Sequence, residues 1–148
     1  MRQQFFNVSS SMYLDLSYKW GELYMEVIES LSKIEAFEEM KCKYFYRLIK
    51  SSFPTTLQDE KVNVDCFGIE VERHDIINNC IAKIERESID KISPYRYKVH
   101  NLLKLINDNV VSPIHLIDVL GEYVDEYILD FNDSIENFDE QLSETIMC

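Results

Sequence analysis

The side chains with the most chemical reach in this chain are carboxylates. Between Leu105 and Cys148 acids stand at Asp108, Asp118, Glu122, Asp125, Glu126, Asp130, Asp133, Glu136, Asp139, Glu140 and Glu144, and no Lys or Arg falls among them. Only His115 could become cationic there. The chain carries a net charge of −12, and this C-terminal part holds nearly all of it, because the acids and bases before Leu105 almost cancel. Carboxylates at that density can attract a cationic surface, repel phosphate, ligate a metal or exchange protons. Ligation in helical proteins takes ExxH or ExxE units on separate helices. Glu35 and Glu38, and Glu72 and Asp75, have that spacing, but no ExxH accompanies them, and His74, His100 and His115 stand far apart in the chain. Neither a metal nor another cofactor is expected.

Nucleophilic catalysis needs a nucleophile, a base and an orienting group in hydrogen-bond reach. No GxSxG, P-loop, GxGxxG or HExxH pattern marks such a set. One acid–base pair does stand out: in Arg96-Tyr97-Lys98-Val99-His100 the arginine and histidine fall at i and i+4, on one face of an expected helix. The run resembles the arginine-to-histidine signature of the HEPN ribonucleases, small helical proteins that cut RNA at a dimer interface. That family separates the two residues by four to six positions, with a polar residue after the arginine, whereas here three intervene and Tyr97 follows. The resemblance covers these five residues alone, and implies an RNA-cleaving role for Arg96 and His100.

The elements that must hold these groups read as helices. At 148 residues the chain is long enough for one domain with its own core, and 46 % hydrophobic residues exclude a disordered acidic tail. Three Gly and three Pro leave little turn chemistry, which favours helices over a sandwich of many short strands. From Ser11 a stripe through Leu16, Trp20, Leu23, Tyr24, Val27, Ile28, Leu31 and Ile34 recurs at three and four. It continues through Phe37, Met40, Tyr44, Phe45, Leu48 and Ile49, with a break expected between Ser32 and Glu39 and a stop at Pro54. Residues 61–72 alternate around Gly68 and suggest one short hairpin. A further helix is expected from Asp75 through Ile77, Cys80, Ile81, Ile84, Ile89 and Ile92. Ser93-Pro94 and Ser112-Pro113 each pair a capping hydroxyl with a proline at the first helical position. The first starts a helix with Tyr95, Val99, Leu102, Leu103 and Ile106 inward. The second starts one with Ile114, Ile117, Leu120, Val124, Tyr127 and Ile128 inward, and Asn132-Asp133-Ser134 recaps a last helix. The expected fold is therefore all-α, a single helical domain over 1–148 of five to seven helices, with one possible β-hairpin near 61–72.

On those last helices the acids form ridges. Asp118, Glu122, Asp125 and Glu126 repeat at three and four, as do Glu136, Asp139, Glu140 and Glu144. Like charges so spaced each cost a few tenths of a kcal/mol, on the order of 0.2–0.5, so folding alone would favour interspersed lysines. Tyr123 and Tyr127 flank the first ridge, with Tyr123 the better placed for exposure. The expected function is binding of a basic protein through Asp118, Glu122, Tyr123, Asp125 and Glu126, supported by Glu136, Asp139 and Glu140. An immunity protein or antitoxin that covers the cationic groove of a nuclease toxin fits this pattern best. A DNA mimic, the HEPN-like ribonuclease and a helical adaptor subunit are the other readings. The acidity argues against binding nucleic acid or anionic lipid directly. The four cysteines form no CxxC pair, the N-terminus has no secretory apolar run, and no apolar run is long enough to span a bilayer. A cytoplasmic location is expected.

Overall fold

The computed structural model describes residues 25–147, with the side chains of Phe138, Asp139 and residues 142–147 outside that description. The fold is not all-α. Four long strands, β1 (Met25–Ala36), β2 (Met40–Leu57), β3 (Glu60–Ile77) and β4 (Cys80–Ser93), form an antiparallel sheet in the order β1-β2-β3-β4. Two helices follow, α1 (Arg96–Asp108) and α2 (Leu116–Met147), joined through a 3-10 turn at Pro113–His115.

The sheet corrects the helical reading of residues 25–93, and the causes are local. Cys42, Tyr44, Tyr46 and Leu48 alternate inward, but Phe45 and Ile49 on the other face interrupt the period of two with apolar residues of their own. A bulge between Val27 and Glu29 inserts one residue into β1, so the half-buried Ile28 and Leu31 fall three apart and mimic a helical stripe. In β4 the more buried residues come in pairs four apart, Ile84-Glu85, Ser88-Ile89 and Ile92-Ser93, which again imitates a helix. Few glycines are needed because a meander of long strands has few turns. The two-residue turns Gln58-Asp59 and Asn78-Asn79 adopt positive φ without glycine (50° and 66°, 52° and 62°), the backbone that lets a tight hairpin follow the sheet twist.

Two punctuation marks also read differently in space. Pro54 lies within β2, opposite Asn63, beyond the last β1 partner at Ser51. Among the described residues its missing N–H therefore costs no ladder bond to β1. Gly68 is not a hairpin turn but a mid-strand residue of β3. A Cβ there would lie 2.2 Å from the Ile89 carbonyl oxygen and 2.4 Å from that of Asp90, where β4 is bulged against it. The alternation on either side of it belongs to one strand whose buried face changes at Cys66 and Phe67.

The helices cover one face. Cys42, Tyr44, Tyr46, Leu48, Phe67, Ile69, Val71 and Ile92 pack against Val99, Leu102, Leu103 and Ile106 of α1, Val111 of the connection, and Leu116 and Leu120 of α2. Each fully buried aliphatic side chain contributes about 1.5–3 kcal/mol. The Tyr46 hydroxyl, inside this core, donates to the Val111 carbonyl at 3.0 Å and so pins β2 to the α1–α2 connection. α1 begins two residues after the Ser93-Pro94 signal, with Tyr95 at the N-cap and the Ser93 Oγ accepting from the Tyr95 N–H at 3.1 Å. In α2 the inward positions are Leu116, Leu120, Val124 and Tyr127, whereas Ile117 and Ile128, and Ile114 in the preceding 3-10 turn, are exposed. No break occurs at Asn132-Asp133-Ser134; α2 runs on for 32 residues, about 48 Å. The part of the N-terminal stripe before Met25 lies outside the described residues.

Candidate functional site

The exposed side of α2 carries the expected acids. Asp118, Glu122, Asp125 and Glu126 all face solvent, and so do Glu136 and Glu140 further along. Asp139 lies in the same helix, with its side chain outside the described residues. Among the described residues none of these carboxylates is paired with a Lys or Arg; Asp118 alone has a neighbour of opposite potential charge, His115 Nδ1 at 3.8 Å. Apolar groups are interleaved with them: Ile117, Ile128 and Leu129 are exposed, and Tyr123 is 37 % exposed. Tyr123 also touches Tyr127, ring centroids 6.3 Å apart. Tyr127 leans into the core, and burial, with Glu126 beside it, holds its phenol above the ordinary tyrosine range. One acid of this helix behaves differently. Asp130 accepts from Lys98 Nζ at 2.7 Å and from Ser93 Oγ at 3.2 Å, tying α2 to α1 and raising the Lys98 ammonium above its usual range. Lys98 also lies over the Tyr127 ring, 4.8 Å from its centroid.

A second constellation joins α1 to β1. Arg96 and His100 do share a helix face, and it turns toward Glu29. His100 Nδ1 lies 2.8 Å from Glu29 Oε1, so the ring N–H donates to the carboxylate, and Arg96 Nη2 lies 3.8 Å from the same oxygen. A carboxylate that fixes one imidazole nitrogen leaves the other to exchange protons or accept a hydrogen bond, with a guanidinium near enough to hold an anion. The all-helical fold implied by the HEPN resemblance is absent, and sequence spacing could not reveal Glu29, which lies far away in the chain. The second oxygen of Glu29, Oε2, is buried and has no hydrogen-bond partner among the described residues.

A third cluster occupies the sheet face opposite the helices. The Glu72 carboxylate is almost wholly buried and accepts from Arg86, with Nε at 2.9 Å and a second contact from Nη2. His74 Nε2 lies 2.7 Å from it and Arg47 Nη2 3.6 Å. Arg47 also bonds Glu70 at 2.7 Å, and Phe45 lies under Lys43 and Arg47 with its ring 5.0 Å from that of His74. Among the described residues Arg47 and Arg86 match the Glu70 and Glu72 carboxylates, as in a structural network. Sequence reasoning missed this cluster because it needs the register Phe45↔Glu72, Arg47↔Glu70 and Glu72↔Arg86, which only strand pairing supplies. The Glu72 and Asp75 spacing that suggested ligands on a helix instead puts the two on opposite faces of β3, since strand side chains alternate.

Among the described residues no group of three His, Cys, Asp or Glu side chains is placed to hold a metal ion, and no helix is long and apolar enough to cross a membrane. No curated protein and no solved structure matches the chain. A family model does match, over residues 25–126, which takes in all four strands, α1 and the first ridge of α2 through Glu126 while leaving Glu136, Asp139 and Glu140 outside. The chain belongs to that family, described as a family of unknown function (DUF6514).

Proposed function

We propose that the protein is a binding protein that engages a basic protein partner through the exposed face of α2. One observation carries this reading: Asp118, Glu122, Asp125 and Glu126 stand in solvent without a Lys or Arg partner among the described residues, on a helix anchored by its opposite side. Held on a rigid helix, the carboxylates lose little entropy on docking, and their field accelerates encounter with a cationic surface. Tyr123, Ile128 and Leu129 supply apolar anchors beside them, which set residence time. A cationic nucleic-acid groove is a surface of the required kind, and a nuclease toxin neutralised by this protein is the narrow form of the proposal. The test is affinity purification from the native cells at low salt, followed by a salt step. A single basic protein released by salt supports the reading; a partner that stays bound at high salt, or one that is acidic, contradicts it. Nuclease activity of the released protein, suppressed by adding this chain back, establishes the narrow form.

One observation favours a second reading, in which Glu29 orients His100 for acid–base work on an anionic substrate such as RNA. RNA cleavage by the purified chain, lost in the Arg96→Ala, His100→Ala double variant, would support it. Cleavage that persists in that variant disposes of it.

A further inference from the structure

β1 and β4 are the two edges of the sheet, and they are finished differently. Along β4 run Lys83, Glu85, Arg86, Glu87, Asp90 and Lys91, charges of the sort that discourage another strand from adding on. β1 from Glu29 to Ala36 carries only Glu29, Lys33 and Glu35, with Ile34 64 % exposed. Among the described residues, no strand pairs with its outer side. Its centre reads Glu29-Ser30-Leu31-Ser32-Lys33, which is complementary to itself when reversed.

We infer that β1 is the seam of a symmetric dimer, in which the β1 strands of two copies pair antiparallel about a two-fold axis at Leu31. In that register Glu29 lies opposite the partner's Lys33, Ser30 opposite the partner's Ser32, and Leu31 opposite the partner's Leu31. Side chains directly opposite sit about 4.5–5.5 Å apart at Cβ and share a face. The partner's ammonium therefore arrives at the helix-side face, where Glu29 Oε2 has no hydrogen-bond partner among the described residues. Lys33 already donates to the Asn107 carbonyl at 2.6 Å, and an ammonium has donors to spare for a second acceptor. Leu31, half-buried against the core, meets its own copy and continues the apolar layer across the seam. The two-fold makes the contact closed, so it ends at two copies. It also brings a residue of the partner subunit to the Glu29–His100–Arg96 group.

Sedimentation of the full chain over a range of concentrations reads the assembly, and cysteine cross-linking reads the register. In a Cys80→Ser, Cys148→Ser background the remaining thiols, Cys42 and Cys66, are buried. Leu31→Cys then places two thiols on residues whose Cα atoms are about 4.5–5.5 Å apart, within disulfide reach. Ile34→Cys sets them about 20 Å apart along the seam, out of reach. The proposal expects a dimer, rapid oxidation of Leu31→Cys to a covalent dimer, and none for Ile34→Cys. Lys33→Glu, which opposes like charges twice across the seam, weakens the dimer roughly tenfold or more while leaving the circular dichroism unchanged. A monomer at every concentration with no Leu31→Cys cross-link overturns the proposal, as does a dimer in which Leu31→Cys fails to cross-link or Ile34→Cys cross-links equally well.

Discussion

The sheet and α2 treat charge in opposite ways. On the outer sheet face Glu70 and Glu72 are held among Arg47, His74 and Arg86, and on the inner face Asp75 takes Arg73 at 2.8 Å. On α2 the acids from Asp118 to Glu126 stand in water with no Lys or Arg beside them among the described residues. Charges of the first kind hold strands in register and are costly to break singly; charges of the second kind cost a little helix stability and return nothing to the fold. Asp130 marks the boundary. On the same helix, but turned toward α1, it takes Lys98 and Ser93 and belongs with the structural set.

Substitutions can break this contrast, and the largest effect belongs to Glu72. Glu72→Ala removes the buried carboxylate between Arg47 and Arg86 and leaves Glu70 as the acceptor they share, and loses about 3 kcal/mol in urea unfolding. A loss below about 1 kcal/mol would mean that the network is dispensable and would erase the difference from α2.

Next comes the core hydroxyl. Tyr46→Phe removes the bond to Val111 and costs about 1 kcal/mol near neutral pH. Burial pushes the Tyr46 phenol well above its ordinary value near 10, so the folded state resists losing that proton more than the unfolded chain does. The resulting stability is fully present below the unfolded value and falls away as pH rises through the folded one. Wild-type stability therefore drops more steeply above about pH 10 than that of Tyr46→Phe, a difference that denaturation at several alkaline pH values measures directly.

The Lys98–Asp130 contact is smaller, because Lys98 is partly exposed and water screens the pair. Asp130→Asn costs about 0.5–1 kcal/mol and loosens α2 from α1, read as faster amide exchange in α2. Its sign follows from the raised Lys98 value: the contribution persists below the ordinary lysine range and is lost as the ammonium deprotonates above it. Smallest of all is the acidic ridge. Reversing any one of Asp118, Glu122 or Asp125 to Lys changes stability by less than about 0.5 kcal/mol, and relief of like-charge repulsion tips the change toward stabilisation.

The exposure of the candidate acids was readable from sequence, and little of the fold before Ser93 was. The acidic, lysine-free stretch lies on one helix where two were expected; Asp118, Glu122, Asp125, Glu126, Glu136 and Glu140 face solvent as their spacing implied, but the same spacing turned Ile117 and Ile128 inward, where they do not lie. α1 was equally plain, with Val99, Leu102, Leu103 and Ile106 inward as spaced. The strands were hidden because apolar residues on both sheet faces and a bulge in β1 blurred the period of two. Turns built on Gln58-Asp59 and Asn78-Asn79 then withheld the glycine signal. No local pattern could have brought Glu29 to His100 or Arg86 to Glu72. Those meetings depend on sheet register and on the packing of α1 over β1.

The most direct measurement takes the fourfold variant Asp118→Lys, Glu122→Lys, Asp125→Lys, Glu126→Lys and reads, on one preparation, its unfolding free energy and its retention of the basic partner that the proposal expects the wild type to hold at low salt. The account predicts stability within about 1 kcal/mol of wild type and loss of the partner. A variant that keeps the partner, or one that loses it only because α2 has come off the sheet, would contradict the claim that these carboxylates exist to bind.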